Sequence, residues 1–148
     1  MATWTTLNNL STGDLVTETD MDALRGNIEY LLNPNTASDY SSSYDSTTST
    51  SFVDSGVEAE ITSYGGVLLL LFQCRAQTTT DTHVQFRFTV DGDPLTFEID
   101  ERFPGEDVMS LTEAVSVAAG THTVKVQFRV TSAASVSIIN SGLTVMEG

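Results

Sequence analysis

Two stretches of strict alternation constrain this chain most. In His83 to Val90, the residues Val84, Phe86, Phe88 and Val90 fall at every second position; in Val124 to Val130, the residues Val124, Val126, Phe128 and Val130 do the same. A side-chain period of two marks a strand with one face buried and the other in water. Gln85, Arg87, Gln127 and Arg129 then belong to the outer face and the aromatic residues to the inner one. Both stretches contain Val-Gln-Phe-Arg, starting at Val84 and at Val126. A vestigial duplication, or two strands meeting the same half-buried requirement, would each account for this, and one pair is too few to establish a repeat array.

Other segments carry the same kind of signal. Val57 to Ile61 alternates apolar and acidic residues, and Leu95 to Ile99 is a short alternating run. Val67 to Phe72 is continuously apolar, the pattern of a central strand covered on both faces. Val108 to Val117, with Leu111 and Val115 as core candidates, reads as a strand, as do Val136 to Ile138 and Leu143 to Val145. Gly65-Gly66, Asp91-Gly92-Asp93-Pro94 and Ala119-Gly120-Thr121 read as turns, and Phe103-Pro104-Gly105 as a loop. Roughly eight strands with frequent turns predict a mainly β protein, a jelly-roll-like antiparallel β-sandwich over residues 52–148. The 148-residue length suits one compact domain with a small appendage, and the 22 Thr and 16 Ser suit strands, turns and an uncharged surface.

Residues 1–35 differ in pattern and hold the one short N-terminal helix, predicted from about Thr17 to Leu32. Thr17-Glu18-Thr19-Asp20 offers an N-cap with acidic residues in the first turn. Met21, Leu24, Ile28 and Leu31 then trace a single apolar stripe, and Pro34 stops the helix. Ahead of it, Trp4, Leu7 and Leu10 are apolar residues in a polar segment. Arm and stripe pack either on the chain's own domain or on a neighbour; in the second case Trp4, Leu7, Leu10, Met21, Leu24, Ile28 and Leu31 form a docking or oligomer interface. Residues 36–51 contain 11 Ser or Thr and read as a partly extended connector, with an edge strand as the alternative.

Charge removes whole classes of partner. Twenty acidic residues against six basic ones give a net charge of −14. Scarce, scattered Lys and Arg argue against nucleic acid and against anionic membrane surfaces. The longest apolar run is too short to span a bilayer, and the start lacks the basic and apolar regions of a secretory signal, so synthesis in a cytoplasm is expected. Cys74, the single cysteine, lies in an apolar run and reads as a buried, inert thiol.

Catalytic signals are weak. There is no Gly-x-Ser-x-Gly elbow. His83 and His122 each precede a Val-rich strand and would approach one another only if those strands pair suitably; a strand-end surface position is the plainer reading. Residues 98–107 hold five carboxylates, and with Asp91 and Asp93 they offer oxygen ligands for Ca²⁺, without EF-hand spacing. A solvated acidic loop is the simpler account. The expectation is a non-enzymatic protein with no catalytic residue, no resident metal and no cofactor.

Trp4-Thr5-Thr6-Leu7, Gly13-Asp14-Leu15-Val16-Thr17 and Leu24-Arg25-Gly26-Asn27-Ile28-Glu29-Tyr30-Leu31 resemble the N-termini of small tailed-bacteriophage virion proteins. Val90-Asp91-Gly92, Ala119-Gly120-Thr121-His122-Thr123-Val124-Lys125-Val126 and Leu143-Thr144-Val145 resemble β-sandwich domains of phage tail, fibre and head-surface proteins. The resemblance implies a virion component of the capsid-decoration, head-fibre or tail-fibre type, commonly a homotrimer. Its N-terminal part would dock on other virion proteins, such as capsid or tail, and its sandwich would project outward. The alternative is a receptor- or carbohydrate-binding module for a host-surface glycan, Ca²⁺-assisted or not, with Tyr40, Tyr44, Tyr64 and Phe103 stacking on sugar.

Overall fold

The computed structural model describes residues 17–32 and 34–148, with helix side chains described for residues 17–25 and 28. The chain divides after Asn35 into two units.

In the first unit, helix α1 spans Glu18–Leu32. Its start is a reciprocal capping box. The Asp20 backbone N–H donates to Thr17 Oγ1 at 3.2 Å, while the Thr17 backbone N–H donates to Asp20 Oδ2 at 2.9 Å. The Thr17 hydroxyl also donates to that carboxylate, and these bonds hold the Asp20 carboxyl below its ordinary value.

The second unit is a jelly-roll-like antiparallel β-sandwich of seven strands: β1 Thr36–Ser41, β2 Asp45–Thr47, β3 Val53–Thr78, β4 Thr82–Val90, β5 Asp93–Phe103, β6 Glu106–Val130 and β7 Val136–Glu147. Strand order is β1-β7-β3-β6-β4-β5, with β2 also on β7. Two of the strands are unusually long. β3 and β6 pair from Val53↔Phe128 to Gln77↔Glu106, forming one long ribbon whose register shifts between Asp54 and Glu58. The second half of β3 pairs with β7, and the second half of β6 pairs with β4. One sheet therefore folds over on itself into two layers. Phe72 of the β7 layer meets Phe86 of the β4 layer, ring centroids 6.2 Å apart, inside a single apolar core.

Gly65-Gly66 and Ala119-Gly120 are not turns, in contrast to the sequence expectation. They face each other across the ribbon, between Ser63↔Gly120 and Gly66↔Val117. Inward residues of β3 are Val57, Ala59, Ile61 and Ser63 before the glycines, but Leu68, Leu70 and Phe72 after them. The alternation changes phase there, and the ribbon turns over. Gly65 (φ 92°) and Gly66 (φ 147°) supply the backbone freedom for that twist. Predicted strands 57–61 and 67–72 are thus one strand. The same holds for 108–117 with 124–130, and for 136–138 with 143–145, which a bulge at Asn140 (φ 53°) separates.

The turn at Asp91-Gly92 is as expected. Both residues have positive φ, 55° and 89°, and Val90 pairs with Asp93, the geometry of a type I′ hairpin. Residues 36–51 do more than connect. Thr36–Ser41 pairs with β7 along its whole length, and Asp45–Thr47 pairs with β7 beyond the bulge, so the segment takes the edge-strand alternative.

Candidate functional site

Of the anticipated interface residues, Met21, Leu24 and Ile28 are exposed on α1, at 53%, 42% and 47%. The backbone of Leu31 lies in α1, while its side chain, and all of Trp4, Leu7 and Leu10, lie outside the described residues.

The two Val-Gln-Phe-Arg stretches pair with one another in antiparallel register. Phe86 faces Phe128, Gln85 faces Arg129 and Arg87 faces Gln127. Inside, the two phenyl rings stack with centroids 6.1 Å apart. Outside, Arg87 donates to Gln127 Oε1 at 2.9 and 3.0 Å, and Arg129 donates to Gln85 Oε1 at 2.7 Å. Gln127 then donates to Asp54 and Gln85 to Asp100, while both guanidiniums cover the Phe52 ring. This cationic face is closed on itself and offers no row of free charges to a polyanion.

Antiparallel pairing also separates the histidines. His83 lies at the start of β4, after Thr82 and beside Thr131, whereas His122 lies beyond the other end of the β4–β6 ladder at the Asp91 turn. His83 Nδ1 meets Asp100 Oδ1 at 2.8 Å. His122 Nδ1 meets Asp91 Oδ2 at 2.7 Å, and its Nε2 meets the Ala118 carbonyl at 2.9 Å.

The acidic segment 98–107 is mostly strand rather than loop. Glu98 lies beside Arg87 and Arg129, Asp100 is bonded to His83 and Gln85, and Glu106 is paired with Arg75. Among the described residues no group of three or more His, Cys, Asp or Glu side chains gathers to hold a metal. Phe103 is buried, which removes it from the candidate sugar-stacking aromatics, while Tyr40 and Tyr44 are exposed and Tyr64 is half-buried. Cys74 is buried and its thiol is pushed up to about 12 by desolvation, so it is neutral. Among the described residues no helix is long and apolar enough to cross a membrane.

One surface was not legible in the sequence. The outer side of the β1–β7–β3–β6 layer is a grid of cross-strand neighbours. One row runs Tyr40, Gly142, Gln73, Ser110. The next runs Ser38, Thr144, Leu71, Thr112. A third runs Thr36, Met146, Leu69, Ala114. None of these residues carries a charge, in a chain with 20 acidic side chains. A groove of about 300 Å³ lies on this face, with Leu71 and Met146 as apolar lining and Gln73, Ser110, Thr112 and Thr144 as polar lining. Gly142 completes it; a Cβ there would come 3.9 Å from both the Gln73 side chain and the Tyr40 ring. The run Val67 to Phe72 was the signal for this face. Its inner residues Leu68, Leu70 and Phe72 are core, but Val67 is 43% exposed and Leu69 and Leu71 are half-buried, so the strand is central without being covered on both sides.

No protein-family model and no curated protein sequence matches the chain. Solved structures do match its shape. Eiger TNF from S. frugiperda aligns with a TM-score of 0.53 at 13% identity, covering 78% of this chain and 94% of that one. Murine APRIL aligns at 0.50 and 11% identity, covering 78% and 100%. Dimeric latent PorU from Porphyromonas gingivalis aligns at 0.52 and 8% identity over 77% of this chain, which corresponds to only 13% of that protein. At such identities the likeness is one of fold.

Proposed function

We propose that the chain is a non-enzymatic structural component of a tailed-phage virion, acting by docking through its N-terminal segment and by self-association, with the sandwich as the outward module. The exposed stripe Met21, Leu24 and Ile28 on α1 carries this reading. Three large apolar side chains on one face of a capped helix favour burial against a neighbour, and each, already about half covered, would contribute on the order of 1 kcal/mol on being fully covered. The N-terminal resemblance to virion proteins supports the setting.

The test is solution mass by light scattering, on the full chain and on a version lacking residues 1–35, which keeps the sandwich core. The expected result is a trimer that becomes monomeric on truncation. A trimer in both would move assembly to the sandwich, and a monodisperse monomer for the full chain would overturn self-association. Peptides of this chain in gradient-purified phage particles would support the virion setting, and their absence would count against it.

A further inference from the structure

We infer that the groove on the outer face of the β1–β7–β3–β6 layer is a binding site for a neutral glycan. The groove lies on a sheet face and keeps only Tyr40 of the four aromatics anticipated for sugar stacking, and it does not rest on the assembly reading. A pyranose presents two kinds of surface, patches of C–H that pack on apolar or aromatic groups and a rim of hydroxyls that both donate and accept. The groove offers both complements. Leu71 and Met146 supply the apolar floor, and Tyr40, one row position from Gly142, stands beside it with 63% of its surface exposed. The Tyr40 ring is positioned rather than loose, because its hydroxyl is 3.0 Å from Asn140 Oδ1 at the β7 bulge. Around the floor, the Gln73 carboxamide and the Ser110, Thr112 and Thr144 hydroxyls have no hydrogen-bond partner among the described residues. Each of these groups both donates and accepts, as a sugar hydroxyl does.

Charge selects the class of glycan. No Lys or Arg occupies the three rows, and the chain as a whole carries −14, so uronates, sialosides and phosphorylated sugars are repelled. Shape argues against a second copy as occupant. Two sheet faces meeting across the groove would set concavity against concavity and leave it unfilled. Gly142 is the key position. Its φ is not in the left-handed region, so the backbone does not require glycine there. What the missing side chain provides is open space between Tyr40 and Gln73.

Titration calorimetry of the full chain tests this, with maltohexaose, cellohexaose and mannohexaose as neutral probes and oligogalacturonate and sialyllactose as acidic ones. At least one neutral probe is expected to bind and no acidic one. Gly142→Val, which fills the groove without backbone strain, and Tyr40→Ala are each expected to weaken binding tenfold or more while the melting temperature stays within a few degrees. Amide shifts at Leu71 and Thr144 on adding the binding probe would place the sugar in the groove. No binding of any neutral probe by folded protein, preference for an acidic probe, or unchanged affinity in both variants would overturn the inference. A concentration-dependent dimer dispersed by Leu71→Lys would likewise overturn it, by giving the face to a second copy.

Discussion

His122 Nδ1 lies 2.7 Å from Asp91 Oδ2, and that contact ties the hairpin turn after β4 to the middle of β6. The other ring nitrogen meets the Ala118 carbonyl. A carboxylate and a carbonyl only accept, so the arrangement favours the doubly protonated ring, in which both nitrogens donate. The bond to Asp91, and after it the bond to Ala118, raise the His122 pKa above 6.5. The bond from His122, and after it that from the Thr123 backbone, lower the Asp91 pKa below 3.8.

The pH dependence follows from the signs. A raised histidine contributes stability that is complete below 6.5 and is lost as pH rises through its higher folded value. A depressed aspartate contributes stability that is complete above 3.8 and is lost as pH falls through its lower folded value. The difference in melting temperature between the wild type and His122→Gln is therefore expected to be largest between those two limits and to shrink above pH 6.5. Imidazole resonances followed by NMR should give a His122 midpoint above 6.5; a midpoint at or below it would refute the two-acceptor arrangement.

Phe86 is fully buried, with Phe128 beside it in its own layer and Phe72 across the core. Phe86→Ala removes ring contacts to both layers and leaves a cavity where neither can collapse freely. A loss of about 3–5 kcal/mol in urea unfolding is expected. A loss under about 1 kcal/mol would mean that the two layers do not share one core at this ring.

Glycine positions separate into two kinds, which a matched pair of substitutions distinguishes. Gly65 has φ 92°, and a Cβ there would lie 3.0 Å from the Ala119 backbone nitrogen. Gly65→Ala is expected to cost more than about 1 kcal/mol, through both strain and the clash. Gly142→Ala meets only ordinary contacts at 3.9 Å and should be neutral or slightly stabilising. Thermal melts of the two variants side by side provide the check, and equal effects would contradict the assigned kink.

Much of this fold was readable where a local pattern decides the outcome. Val84 to Val90 declares its faces through its own alternation, and Asp91-Gly92 specifies a tight hairpin because both positions need positive φ. Gly65-Gly66 misled because glycine permits a turn and a twist equally well. Only the partner strand, with Gly120 opposite Ser63, decides between them. Phe103 misled because Pro104-Gly105 dominates its neighbourhood, while its ring is held by the core at the end of β5. The groove was out of reach for a different reason. Tyr40, Gly142, Gln73 and Ser110 come from four strands, and register across strands is not written in any one of them.

Near the kink, a buried carboxylate fixes the point at which the ribbon turns over. Glu147 Oε1 accepts from the Ser63 hydroxyl and from the Tyr64 backbone N–H, both at 2.7 Å, and the Ser63 hydroxyl accepts from the Gly65 backbone N–H at 2.9 Å. Ser63 and Glu147 are both buried. Glu147→Ala would strand the Tyr64 N–H and the Ser63 hydroxyl, costing about 1–3 kcal/mol for the unmet donors. Glu147→Gln keeps an acceptor oxygen in the same place and is expected to retain most of that stability. Hydrogen exchange at Tyr64 and Gly65 gives the local readout. Faster exchange in Glu147→Ala, with slower exchange kept in Glu147→Gln, is the expected pattern. Equal exchange in the two variants would mean that the glycines alone hold the twist.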